Sequence, residues 1–463
     1  MKNHKYICLI IFSIFLNISC KKLLEIEKPK GSLEQSVVFN SNDQATSAIL
    51  GLYSNLYVSG FASGSNTSIT CLAGASSDEL IGYNLILPFF QNQLTPSLSN
   101  ISSLYRSPYV TIYAANSILQ GLAEAKGVTP SVKTQLEGEA LFIRAFSYFY
   151  LANSFGAVPL QLTTDYRITQ SSSNEAVEKI YTQIITDLKT CENKLVDSYP
   201  GIGRVRVNKS SVEALLARVY LYQNDWENAE KYSSLVIEKS DTYNLVALDA
   251  VFLANSREAI WQLMPRQNSN TNEGSMFIPS NTAIAPIVVS LSANFVLNTF
   301  EGNDKRRDSW VKSFTNTSGT YYYPFKYKVR SSTNVTEYSM VLRLAEQYLI
   351  RAEARVNQGK LDLGINDLNT VRQRPLITGA FANTIPALSL SLSKNAALLA
   401  IEKERRIELF SEWGHRWYDL KRIGKSDSVL GSLKSSWQAT DKLYPIPSDE
   451  LTRNTNIKQN EGY

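Results

Sequence analysis

The chain has 463 residues, a formal charge of +5, 44% hydrophobic and 19% charged residues, the balance of a protein with a sizeable buried core. Removing Lys2 and Lys5 with a leader leaves 45 basic against 42 acidic residues, which excludes the concentrated basic stripe that nucleic-acid binding needs. Length alone suggests about three domains, unless the chain is a helical-repeat fold, which breaks that rule.

Met1–Tyr6 carries two lysines, Ile7–Leu16 is apolar except for Ser13, and Asn17-Ile18-Ser19-Cys20 follows. A basic start, a short apolar run and a small residue before the cut predict a secretory leader over 1–19. Cys20 at the cut resembles a bacterial lipobox, with Asn17 where that pattern carries Leu. The expected product is acylated at Cys20, with an anchor and tether over 20–40 and one domain over 41–463. Cys8 leaves with the leader. Cys71 and Cys191 remain, too few for a disulfide framework, and their pairing stays open.

Asp43–Tyr57 places Ala45, Ala48, Ile49, Leu52, Tyr53 and Leu56 at helical spacing. Residues 58–103 are rich in Ser, Asn and Gly without a sustained period and read as irregular. Helical spacing returns over Tyr105–Leu122. Gly138–Phe155 is apolar on most faces, so it predicts a buried helix, stopped by Gly156 and Pro159. Asn174–Leu195 predicts a helix capped by Asn174.

Leu215–Val236 and Ile350–Val371 resemble each other at an offset of 135 residues, which sets Ala217 on Ala352 and Asn224 on Gly359. Each predicts a helix, a tight polar turn and a second helix. Such hairpins bury their faces only by stacking, so further hairpins are expected. Between them, residues 240–340 have weak periodicity and predict a loop-rich insertion with short strands such as Ala259–Leu263. Long irregular insertions usually carry function. A last helical block covers 395–423.

That block sets Glu404, Glu408 and Glu412 at four-residue spacing. The functional reading is an acid/base pair as in glycosidases. The structural reading, favoured by the apolar neighbours Leu409, Phe410, Trp413 and Trp417, is a stripe neutralised by cations. Arg416, Arg144 and Arg351 are the candidates. His415 is the sole histidine left after export, which rules out a His-rich zinc site; nothing around it suggests a triad. No nucleotide-binding glycine pattern is present, and no cofactor or metal is expected.

The chain contains 25 Tyr, 18 Phe and 6 Trp. Most should pack between helices, but aromatic faces with amide neighbours also suit sugars. Tyr83, Asn84, Phe89, Phe90 and Gln91, with Phe277 and Asn281, form the candidate ligand set. The Tyr321-Tyr322-Tyr323 run reads as a strand or partner contact rather than a ligand clamp.

Several ordered pieces resemble the SusD/RagB family of Bacteroidetes outer-membrane lipoproteins: Ser77-Asp78-Glu79, Tyr113–Leu119, Gly138–Ala145 with Phe155–Leu160, Leu344–Ala354, Glu404–Phe410 with Arg416–Arg422, and Tyr444–Pro447. The resemblance implies a mainly α superhelix of tetratricopeptide-like hairpins with a loop-rich ligand face. It also implies a SusC-like TonB-dependent barrel as partner and an oligosaccharide, or in some members a peptide, as ligand. Contacts would come from the segment after Ser77-Asp78-Glu79 and from the mid-chain insertion; the family's frequent Trp in the first segment is absent. The function so implied is nutrient capture without catalysis. The rivals are a lid that binds only the transporter and a glycan-cleaving enzyme.

Overall fold

Helical periodicity becomes a stack of helices in the computed structural model, which describes residues 38–463 apart from 59, 267, 268, 287 and 375–384. The predicted leader, Cys20 and most of the tether lie outside the described residues. Helix α1 (Asn42–Val58) buries Ala45, Ile49, Leu52, Tyr53, Leu56 and Tyr57, the stripe the spacing marks. The segment read as irregular holds a further helix, α2 (Ile69–Ser76), whose eight residues are all buried. Burial on every face erases the period that betrays an amphipathic helix. The same segment carries strand β1 (Leu80–Gly82) and a short helix, Leu87–Gln91.

Helices α3 (Ser99–Glu124), α4 (Pro130–Phe155) and α5 (Val177–Lys194) follow. Asn174 does not cap α5. It pairs with Pro159 in a two-residue ladder, and Ala176 stands at the cap. Next come α6 (Lys209–Tyr222), α7 (Trp226–Ile237), α8 (Leu344–Asn357) and α9 (Leu361–Arg372). Asn224 and Gly359, matched by the 135-residue offset, both take left-handed φ values, 56° and 82°. The equivalent turns thus share the backbone state that Asn and Gly tolerate best.

From α3 to α9 each helix packs on the next in sequence, and α7 lies against α8. The two hairpins are therefore neighbours in space although the insertion separates them in sequence. The result is a mainly α superhelix with more hairpins than the pair visible in the sequence.

The insertion is more ordered than its composition suggests. Strand β2 (Ala259–Leu263) is wholly buried and pairs antiparallel with β6 (Ser339–Arg343). Strands β3 (Val289–Leu291), β4 (Val311–Asn316) and β5 (Gly319–Pro324) join β1 in a sheet of order β1-β3-β5-β4. This sheet ties the insertion to the segment after α2.

The final helical block is two helices, α10 (Lys394–Glu408) and α11 (His415–Arg422). Ser411, Trp413 and Gly414 have φ of 53°, 49° and 68°, which interrupts the helix. A Cβ on Gly414 would stand 2.6 Å from the Ala73 Cβ, so the break is built around close approach to α2. One core runs from Phe39 to Ile446 through all these elements.

Candidate functional site

The three glutamates of the stripe are the obvious candidates for chemistry. The break puts Glu412 off the helix that carries Glu404 and Glu408, yet all three converge on cations. Arg306 binds Asp304, Glu404 and Glu408; Arg343 binds Glu258, Glu408 and Glu412 at 2.9, 2.6 and 2.8 Å. Lys326 reaches Glu412 at 2.5 Å and Arg374 reaches Glu258 at 2.6 Å. The side chains of Arg306, Arg343, Glu404 and Glu408 are at most 2% exposed. Burial pushes the Glu408 carboxyl up, but Arg374, Arg343, Arg306 and Lys326 outweigh it and hold Glu408 well below the usual range. Burial pushes the Glu404 carboxyl up, but all three glutamates are sealed and held by cations, and a sealed carboxylate cannot serve as a glycosidase acid, which needs access to substrate.

The structural reading of the stripe therefore stands, with different cations. Arg416 pairs with Asp78 and Glu402, Arg144 with Asp187, and Arg351 with Asp367. His415 is buried; burial, reinforced by Arg218 and Arg405, holds its pKa well below the ordinary value. Cys71 and Cys191 are both free and buried, and burial pushes both thiols up. Among the described residues no group of His, Cys, Asp and Glu is placed to hold a metal ion. Among them, too, no helix is long and apolar enough to cross a membrane.

A groove of about 140 Å³ opens between residues 275–286 and the sheet. Its lining includes Phe277, Asn281, Ser290, Phe314, Tyr322, Tyr323 and Arg330. Tyr83 follows β1 and reaches the same place: its Oη lies 2.9 Å from Ser290 Oγ, and its amide donates to the Val288 carbonyl at 2.9 Å. Burial pushes the Tyr83 phenol up, and nearby Tyr321 adds to the rise. Asn281 is exposed, and its Oδ1 accepts from the Ala283 amide at 2.9 Å. Rings for sugar faces and amide, hydroxyl and guanidinium groups for sugar hydroxyls thus line one concave surface.

The candidate residues divide. Phe277 and Asn281 line the groove, although Phe277 is only 5% exposed and packs in the core, and Tyr83 stands behind it, bonded to the lining residue Ser290. Asn84 is exposed in the left-handed conformation, φ 49°. Phe89 is fully buried, edge-on to Tyr444 at 5.7 Å. Its place in the ligand set is corrected: the five-residue helix turns it inward. Phe90 is half-buried against the core with Lys434 Nζ 5.3 Å from its ring centre. Tyr321-Tyr322-Tyr323 do form a strand, as read, but Tyr322 and Tyr323 also line the groove. Phe314, Tyr322, Tyr323 and Arg330 are absent from the sequence-based set. The alternation of aromatics across a Ser318-Gly319 turn is the signal for a hairpin there, and Phe314 packs across it against Tyr321 at 5.4 Å with the rings tilted by 32°.

Residues 27–221 match the profile of a SusD-like family described as starch-binding and associating with the outer membrane. Residues 297–463 match the SusD/RagB profile. The chain belongs to the SusD/RagB family. Among relatives, SusD-like protein P2 of Formosa agariphila is 25% identical, over 99% of this chain and 100% of its own. The starch-binding protein SusD of Bacteroides thetaiotaomicron is 22% identical, over 81% of this chain and 82% of its own. A SusD superfamily protein from Bacteroides vulgatus superposes with a TM-score of 0.80 at 22% identity, covering 92% of this chain and 100% of the other. A laminarin-binding SusD-like protein does so with 0.76 at 23% identity, with the same coverage. The SusD-like fold is thus shared across nearly the whole chain.

Proposed function

We propose that this SusD-like chain captures an oligosaccharide in the groove beneath residues 275–286 and delivers it to a SusC-like TonB-dependent barrel without cleaving it. The groove's combination of Tyr322, Tyr323 and Phe314 with Asn281, Arg330 and Ser290 carries this reading. Rings bury sugar C–H faces while the polar groups bond hydroxyls, and neither operation needs a reactive group. Membership in a family described as starch-binding and outer-membrane-associated supports it. In this reading residues 1–19 are the leader, acylated Cys20 is the anchor, 20–40 the tether and 41–463 one domain facing the cell exterior.

Calorimetric titration with laminari- and malto-oligosaccharides and with peptides tests it. Saturable heat without new sugar ends is the expected result. Heat with peptides alone would change the ligand class. Silence across the panel, with the barrel still co-purifying, would leave a transporter lid that binds no small ligand. Appearance of cleaved product would overturn the non-enzymatic reading.

A further inference from the structure

A second concavity lies among the helices, and it shares no lining residue with the groove. A cleft of about 280 Å³ opens between the α6–α7 turn, the end of α8, α10 and the segment after α11. A neighbouring cleft of about 370 Å³ shares Leu399, Glu402 and Lys425 with it. The two are therefore halves of one trough, divided by the Lys425–Glu402 ion pair.

Trp226 stands at one end. It is half-buried, whereas Trp261, Trp310, Trp413 and Trp417 are sealed in the core. Around it are Asn224, Asn357 and Asn395, three amides at the trough's wall. An indole face with amides is a surface for a hydroxylated ring.

The other wall is cationic. Lys403, Arg405, Arg406, Arg416, Arg422 and Lys425 line the two halves, against Glu353, Glu402 and Asp419. Behind the wall, Asp78 pairs with Arg406 and Arg416, and Glu301 pairs with Lys403. After these pairings two adjacent arginines still keep a buried N–H with no acceptor. Arg405 gives Nε and Nη2 to Asp419 and leaves Nη1, with its side chain 2% exposed. Arg406 gives Nη2 to Asp78 and leaves Nε. A buried guanidinium N–H without a partner is costly, and an anionic oxygen is its strongest acceptor.

We propose that this trough is a second binding site, for a sugar bearing a carboxylate, such as a hexuronate. The ring lies against Trp226 among the asparagines, and the carboxylate faces the orphaned Nη1 of Arg405, which lines the same half of the trough. The site is independent of the groove and of the ligand taken there.

The test is titration of the full mature protein with glucuronate and digalacturonate, with glucose and sulfate as the other probes. Saturable binding of the acidic sugars, unaffected by Tyr323→Ala in the groove, is expected. Trp226→Ala should weaken it about tenfold, the loss of a stacked ring face. Arg405→Gln should weaken it about as much. Because Arg405 also holds Asp419, Lys425→Glu at the rim of the same half gives a second reading of charge and should also weaken binding. Equal affinity for glucose would overturn the carboxylate assignment. Equal affinity for sulfate would mean an adventitious ion only. Absence of heat, or its loss in Tyr323→Ala, would overturn the site.

Discussion

The hairpins and the insertion between them are held by different means. In the hairpins α6–α7 and α8–α9, apolar faces close on each other; one sealed pair, Arg218–Glu346, joins α6 to α8, and others such as Lys360–Glu230, with Lys360 43% exposed, sit at the margin. The insertion has little apolar period. Trp261, Phe295 and Trp310 bury in the core, and a sealed charge network adds to them. Arg306 and Lys326 reach from it into Glu404, Glu408 and Glu412, while Glu258 meets Arg343 and Arg374. Hydrophobic periodicity reports burial of apolar faces only. A segment docked partly through buried charge therefore looks like loop in the sequence.

The strongest way to break this contrast is Arg343→Ala. It strands Glu258, Glu408 and Glu412 with fewer cations in a sealed site, so a loss of about 3–5 kcal/mol is expected in urea denaturation. Lys360→Ala on the hairpin should cost about 0–1 kcal/mol. Equal losses would mean that the two regions do not differ as argued.

Phe89→Ala sharpens the comparison within the candidate site. The ring is wholly buried, so about 3–5 kcal/mol should be lost, with ligand affinity unchanged in the fraction that stays folded. A selective loss of affinity with full stability would return Phe89 to the ligand set.

Much of the scaffold was legible, and the exceptions are instructive. Helices α1, α3, α4, α6, α7, α8 and α9 have one buried face or a capped turn, which spacing records. Helix α2 has no polar face to record. The break at Ser411–Gly414 depends on positive φ and on contact with Ala73, which no spacing within 395–423 shows. The glutamate stripe was recognisable as structural, but its partners come from 306, 326, 343 and 374, far away in sequence. Of the candidate groove, Asn281 was legible because it stands among polar, loop-like neighbours, and Tyr83 because an aromatic beside an amide follows Ser77-Asp78-Glu79. Tyr322 and Tyr323 were missed because a strand lets some of its side chains serve the sheet and others the groove. Residue type could not separate Phe89 from Phe90; only the direction of a five-residue helix does.

A pH test probes the sheet's anchor, and its sign is fixed. Glu79 sits just before β1, 2% exposed, and accepts from the Ser411 amide at 2.5 Å. Burial, only partly offset by that amide and by Lys326, pushes it up from 4.5 to about 7. Between those values the folded chain holds a proton that the unfolded chain has lost, so this group makes stability fall as pH rises from 4.5 to 7. Glu79→Gln should remove that fall. The stability of the natural chain relative to the variant should drop by roughly 2–3 kcal/mol between pH 5 and pH 8. A constant difference would show that Glu79 is ionised throughout.

The smallest effect tests the groove. Tyr323 and Tyr83 are half-buried; Tyr323 lines the groove and Tyr83 bonds the lining residue Ser290. Removing either ring takes away one sugar platform and little core. Each alanine variant should weaken oligosaccharide binding about tenfold, or roughly 1.4 kcal/mol, with the denaturation midpoint almost unmoved. Phe277→Ala cannot make this test, because Phe277 is 5% exposed and its loss would lower stability and affinity together. If both tyrosine variants bind normally, the groove is not the ligand site, and the buried network under the insertion serves only to hold the sheet in place. If they bind weakly while Arg343→Ala unfolds, the division holds: buried charge helps fix the insertion, and the aromatic face it supports does the binding.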